Sequence, residues 1–371
     1  LTDSSVDPRL LKHADILVNY STDIQPGDRV VIEATTAAEP MLEALIERIL
    51  QRGGYPYLLT QLPRQEAIFY KYAQEAQLVQ TPEFHMMAYE NFEARIRLHS
   101  LTDTTQLNNV PPEKQAWFAK ARAPILEAQM RRGPSRDFKW CTTLFPTQAY
   151  ADEAGMTFEE YQDFVYSAIR ADTDDPVSHW EQVRRDQAHY VSLFEGKKDV
   201  RLRGPNVDLT LSIDGRKFRN SCGLYNMPDG EIFTGPVENS VKGWVRFTYP
   251  TVHDGRVVEN VELDFVDGRV LNAKATRNHD FLLKMLDSDQ GARYIGEFAI
   301  GLNFGIRRFT GNILFDEKIG GSFHMALGAG YPETGSQNKS RIHWDMICDM
   351  REDSEILVDG EVVYKDGQFI A

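Results

Sequence analysis

Arg29-Val-Val-Ile32, Glu39-Pro-Met-Leu-Glu-Ala-Leu-Ile-Glu-Arg-Ile-Leu-Gln51 and Tyr55-Pro-Tyr-Leu-Leu-Thr60 follow one another with short connections. The first is a brief apolar run suited to a buried strand. The second repeats its apolar residues at helical spacing and stops at Gly53-Gly54, and the third is again strand-like. Strand, helix and strand in this order predict a parallel pair joined by a right-handed crossover. Helical spacing recurs at residues 10–19, 65–77, 112–131, 157–169 and 176–193, with strand patterns at 95–99 and 140–144, so the first half reads as an α/β domain.

Near Gly196-Lys197-Lys198 the pattern changes to short alternating segments at 207–213, 232–236, 243–247 and 257–265. Another follows at 270–275 after the Asp267-Gly268 turn, and only 279–287 reads as helical. The expected organisation is an α/β domain over residues 1–195 and a β-rich α+β domain over 196–371.

The 371 residues, 42% of them hydrophobic, suffice for a large core without covalent staples. Cys141, Cys222 and Cys348 are far apart and form no metal-ligand spacing, so they read as buried apolar residues of a reducing compartment. No run of about 20 apolar residues occurs, and residues 1–20 mix charges among their hydrophobics. The expectation is a cytoplasmic protein with no membrane partner. Asp and Glu number 55 against 41 Lys and Arg, a formal charge of −14, which sets the mean field against nucleic acid. No dinucleotide fingerprint, Walker loop or Gly-x-Ser-x-Gly elbow is present.

Potential metal ligands concentrate in the second half. In Ile342-His343-Trp344-Asp345, an extended chain puts His343 and Asp345 on one face, a nitrogen and an oxygen donor side by side; taken alone, the short and common pattern reads rather as the wet face of a strand. Glu297 sits in Ile295-Gly-Glu-Phe-Ala-Ile-Gly301, where burying a carboxylate calls for a cation, either a metal or an arginine such as Arg293 or Arg307. Glu231 follows the turn residues Pro228-Asp229-Gly230 and alone reads as an ordinary hairpin residue, and His324 lies in Gly-Gly-Ser-Phe-His-Met-Ala-Leu-Gly328, where a neutral imidazole is either a satisfied core residue or a ligand. Carboxylates and histidines together form the mixed donor shell of two-metal hydrolytic sites. Glu317 reads as a general base or acid, or as a helix-start carboxylate, and Tyr331 as an oxyanion donor or a packed loop aromatic.

Together Asn226-Met-Pro-Asp-Gly-Glu-Ile-Phe-Thr234, Gly296-Glu297, Leu314-Phe-Asp-Glu317 with His324, Tyr331 and His343-x-Asp345 resemble the M29 family of metalloaminopeptidases, the aminopeptidase T and aminopeptidase S group. A weaker likeness extends to Pro26-Gly27-Asp28. The resemblance implies metal ligation by Glu231, Glu297, His324, His343 and Asp345, with Glu297 bridging two ions, and active-site roles for Glu317 and Tyr331. It also implies two divalent ions per chain, with zinc preferred and cobalt, manganese or magnesium as alternatives. Peptide substrates and a homodimer built from an α/β domain and a β-rich catalytic domain are the remaining implications. Two departures stand out: a longer spacing from Glu317 to His324, and a shorter loop from Tyr331 to His343.

Two rival functions share this scaffold. A ring-cleaving dioxygenase of the 2,5-dihydroxypyridine type needs one ferrous ion, which His343 and Asp345 could serve, but not the further carboxylates. A catalytically silent binding protein would be expected to have lost ligands that this sequence retains.

Overall fold

The computed structural model describes residues 7–253 and 255–370; residues 1–6, part of the N-terminal stretch considered above, lie outside them. The chain divides into two compact units, one of residues 1–181 with 223–228 and the other of 182–222 with 229–371. The sequence pattern puts the change at residue 195; the units part within the helix Pro176–Ser192.

The first unit carries a parallel sheet of β1 (Arg29–Thr35), β2 (Tyr55–Gln61), β3 (Ala94–His99) and β4 (Lys139–Leu144), in the order β2-β1-β3-β4, with Asn226–Met227 added beside β4. The crossover from β1 to β2 is the helix Glu39–Gln51, whose Met41, Leu42, Leu45 and Ile49 are buried. The helical reading of 65–77 is broken in two, Gln65–Tyr72 and Glu75–Leu78, where Ala73 turns extended. Helices at Glu83–Asn91 and Gln148–Glu153 have no counterpart in the sequence reading.

An eight-stranded antiparallel sheet in the second unit runs from Arg269–Lys274 at one edge to Gln368–Phe369 at the other. The single strand expected at 257–265 is two, Arg256–Val258 and Glu262–Val266, because Asn260 adopts a left-handed backbone (φ 52°) between them. The unit's other large sheet is antiparallel and contains β5 (Arg219–Ser221), β6 (Glu231–Thr234), β7 (Ile295–Gly301), β8 (Ser322–Gly328) and β9 (His343–Asp349), in the order β9-β8-β7-β6-β5. β7 and β8 are buried along their whole length.

Alternation gives this sheet two chemically opposite faces. Ile232, Phe298, Ile300, Phe323, Met325, Leu327, Trp344, Met346 and Cys348 share one hydrophobic core cluster. Their neighbours in the alternation are the polar residues of the site. All three cysteines are free and buried. Among the described residues, no helix is long and apolar enough to cross a membrane.

Candidate metal centre

Strand register brings the predicted residues together. Glu231 pairs with Gly301, Ala299 with His324, Ala326 with both Glu297 and Asp345, and Gly328 with His343. Residues paired across a sheet point the same way, so Glu231, Glu297, His324, His343 and Asp345 all project from the face opposite the core. On β7 and β8 the partners are Ala or Gly, which leaves space above the middle of the sheet to the functional side chains.

A bulge makes this arrangement possible. The register shifts between Ile295 and Glu297, so Gly296 is an extra residue on β7. Strict alternation from the core residue Ile295 would aim Glu297 into the core, whereas the bulge lets Ile295 and Phe298 both face the apolar side while Glu297 faces the site. Only glycine fits here, since a Cβ on Gly296 would stand 2.2 Å from the Ala329 carbonyl oxygen.

The histidine tautomers follow from their hydrogen bonds. Nδ1 of His324 lies 2.8 Å from the Glu317 carbonyl oxygen, and Nδ1 of His343 lies 2.8 Å from that of Ala329. A carbonyl only accepts, so each Nδ1 carries the hydrogen and each Nε2 turns towards the carboxylates. His324 Nε2 is 3.6 Å from Glu231 Oε2, 3.7 Å from Glu297 Oε1 and 3.9 Å from Asp345 Oδ1. His343 Nε2 is 3.3 Å from Glu297 Oε2 and 3.6 Å from Asp345 Oδ1. Glu297 therefore offers one oxygen to each histidine, and Arg293 instead pairs with Asp287.

Most of these separations exceed a good hydrogen bond. They resemble the spacing of two donors that share one ion, since ligands about 2.0–2.2 Å from a tetrahedral cation stand roughly 3.4 Å apart. Glu231 Oε2 and Asp345 Oδ1 are buried without a hydrogen-bond donor, a costly state that a cation would relieve. Among the described residues, two groups have ligand atoms within 4.8 Å of one another: Glu297, His343 and Asp345, and Glu317, His324 and Asp345. Glu231 belongs to neither, although it stands against His324.

Without an ion the cluster holds protons tightly. Burial opposes the charged form of His324 and His343, but the surrounding carboxylates outweigh it and raise both to about 10. Burial also raises Glu231 and Asp345, despite their cationic neighbours. For Glu297 burial works the same way, yet the two histidines prevail and its affinity for a proton falls below the ordinary carboxylate range.

Glu317 caps the end of the short helix Ile313–Asp316, so its position is a helix end and not the alternative helix start. Asp316, fully buried, accepts hydrogen bonds from Thr310 N (2.8 Å) and Thr310 Oγ1 (2.9 Å) and so ties the preceding loop to this turn. Tyr331 lies at the rim, 42% exposed, its ring edge-on to His343 with centroids 5.3 Å apart. Partial burial and the nearby carboxylates raise the phenol, keeping it a hydrogen-bond donor.

One residue of the site escaped the sequence reading. Lys318 has a fully buried side chain whose ammonium bonds Glu317 and lies 3.8 Å from Glu231 Oε1. Burial lowers its proton affinity, but Glu231, Glu317 and Asp229 outweigh that and raise it. In sequence it resembles any lysine after a helical turn; the signal lay in its place between Glu317 and the apolar Ile319-Gly-Gly run.

Residues 6–369 match the family described as Thermophilic metalloprotease (M29). Aminopeptidase 2 of Geobacillus stearothermophilus is 27% identical, the match covering 98% of this chain and 95% of the relative. Aminopeptidase T of Thermus thermophilus is 26% identical over 96% and 95%. A solved structure titled wild-type AmpT from Thermus thermophilus superposes with a TM-score of 0.84 at 22% identity, covering 98% of this chain and 99% of that one. The superposition bears out the expected fold, an α/β N-terminal domain with a β-rich C-terminal domain.

Proposed function

Because the chain belongs to the thermophilic metalloprotease (M29) family, we propose that its β-rich unit is the catalytic centre of a metal-dependent aminopeptidase, which frees the first residue of a peptide. The observation that carries this reading is the pair of ligand groups sharing Asp345 on one sheet face. A single-iron oxygenase would need only one of them.

In this reading Glu297, His343 and Asp345 would hold one divalent ion and Glu231, His324 and Asp345 a second, with Glu317 beside it. Glu297, with one oxygen towards each histidine, would be the carboxylate shared between the two. Ions bound there supply Lewis acidity, polarising the scissile carbonyl and lowering the proton affinity of water. Glu317 takes the proton of the attacking water and delivers it to the departing amine. The Tyr331 hydroxyl donates to the oxygen on which negative charge develops. Backbone carbonyls of Glu317 and Ala329 fix the imidazole orientations throughout.

Zinc suits the mixed imidazole and carboxylate donors, and cobalt, manganese and magnesium are the alternatives. A cytoplasmic homodimer is part of the same reading. Its support is the edge strand β2, where Tyr55, Tyr57 and Leu58 are exposed with Leu62 just beyond, an apolar edge that a free monomer would leave open to pairing. Treatment with a chelator is expected to abolish release of amino acids from aminoacyl chromogenic substrates, and added divalent ion to restore it. Activity that persists after complete chelation would overturn the proposal.

A further inference from the structure

The two ligand groups differ in what surrounds them. Among the described residues, no lysine or arginine forms an ion pair with Glu297 or Asp345, whose cationic partners are the two histidines. The side of His324 faces a fixed positive charge. The Lys318 ammonium is fully buried, bonds one oxygen of Glu317 and lies 3.8 Å from Glu231 Oε1. The other Glu231 oxygen, Oε2, is the one turned to His324.

We propose that Lys318 is a positioning residue that makes the two ion positions unequal: it holds one oxygen each of Glu231 and Glu317, so the position beside His324 fills second and exchanges its ion readily.

The inference rests on the two-ion reading above. Two physical effects act in the same direction. An ammonium beside a dication repels it, and burial removes the water that would screen that repulsion. Each carboxylate that gives one oxygen to Lys318 also has only the other left to donate. The position formed by Glu297, His343 and Asp345 suffers neither effect and is expected to retain its ion through dilution and dialysis. A lysine that only balanced the charge of the whole cluster would, on removal, tighten both positions alike and leave the gap between them.

Calorimetric titration of the chelated full-length protein with Zn2+ tests this. The wild type should show two binding classes separated by at least tenfold. His343→Ala should remove the tight class, and His324→Ala the weak one. Lys318→Met should tighten the weak class at least tenfold and leave the other in place, while Lys318→Arg should keep the gap. Equal affinities in the wild type, a tight class assigned to His324, or a gap unchanged in Lys318→Met would overturn the inference. Should Lys318→Met fail to fold, Lys318→Gln takes its place with the same expected outcome, and equal wild-type affinities or a tight class at His324 would overturn the inference without any lysine variant. Absence of any uptake by the wild type would instead remove the two-ion reading, and this inference with it.

Discussion

Ion uptake should be strongly linked to pH. In the ion-free protein both histidines hold their second proton to about 10, because Glu297, Glu231 and Asp345 face their Nε2 atoms. A ligand nitrogen must be neutral, so at pH 7 loading the site displaces a proton from each ring. The two histidine protons alone change the overall binding free energy by about 2.7 kcal/mol per pH unit, twice the 1.36 kcal/mol of a single titration. Over pH 6–8 the logarithm of the overall binding constant should therefore climb with a slope of at least two, because Glu231, raised to about 8 by burial, gives up a further proton over this range. The stability of the ion-free protein has the opposite sign. Groups whose affinity rises from 6.5 to about 10 on folding contribute fully below pH 6.5 and lose that contribution as pH rises through 10. Melting temperatures of the loaded and chelated proteins should thus diverge as pH increases. Titration with Zn2+ in buffers of different ionisation enthalpy counts the protons directly. Release of fewer than one proton at pH 7 would mean that His324 and His343 are not ligands.

Tyr331→Phe should lower kcat by about 100- to 1000-fold, as loss of one oxyanion donor does elsewhere; steady-state kinetics should show KM and ion content almost unchanged. Phe298→Ala removes a fully buried ring from the apolar face behind Glu297 and should cost about 3–5 kcal/mol in urea unfolding. His13, buried against Thr143 Oγ1 at 2.9 Å, is lowered by burial from 6.5 to about 3. Its contribution is therefore intact above pH 6.5 and lost as pH falls towards 3, at about 1.4 kcal/mol per unit. His13→Gln keeps a donor for Thr143 without this titration, and its urea midpoint should fall less steeply below pH 6.5 than that of the wild type.

The sequence carried the alternation that builds the site, but not the devices that aim it. The two-residue period of His343-x-Asp345 and the lone carboxylate in Ile295–Gly301 were legible because strand geometry converts them directly into a face. The bulge at Gly296 was not, since a register shift depends on which strand lies opposite, and that is a non-local fact. Lys318 was missed for a related reason. A lysine is ordinarily solvated, and only the convergence of Glu231 from a distant strand makes its burial tolerable. In the first half, the Gly53-Gly54 stop and the helix Glu39–Gln51 fixed the crossover, whereas the break at Ala73 and the helix Glu83–Asn91 followed no strong periodic signal. The split at Asn260 shows the same limit, because a left-handed asparagine leaves the apolar pattern of 257–265 unchanged.

Diffraction from a Zn2+-loaded crystal, measured on both sides of the zinc absorption edge, tests the central claim most directly. Two anomalous peaks are expected on the polar face of the sheet, one among Glu297, His343 and Asp345 and the other beside His324, with Glu297 between them. Peaks confined to other surfaces, or none within reach of both histidines, would contradict the assignment of this face as the catalytic metal centre.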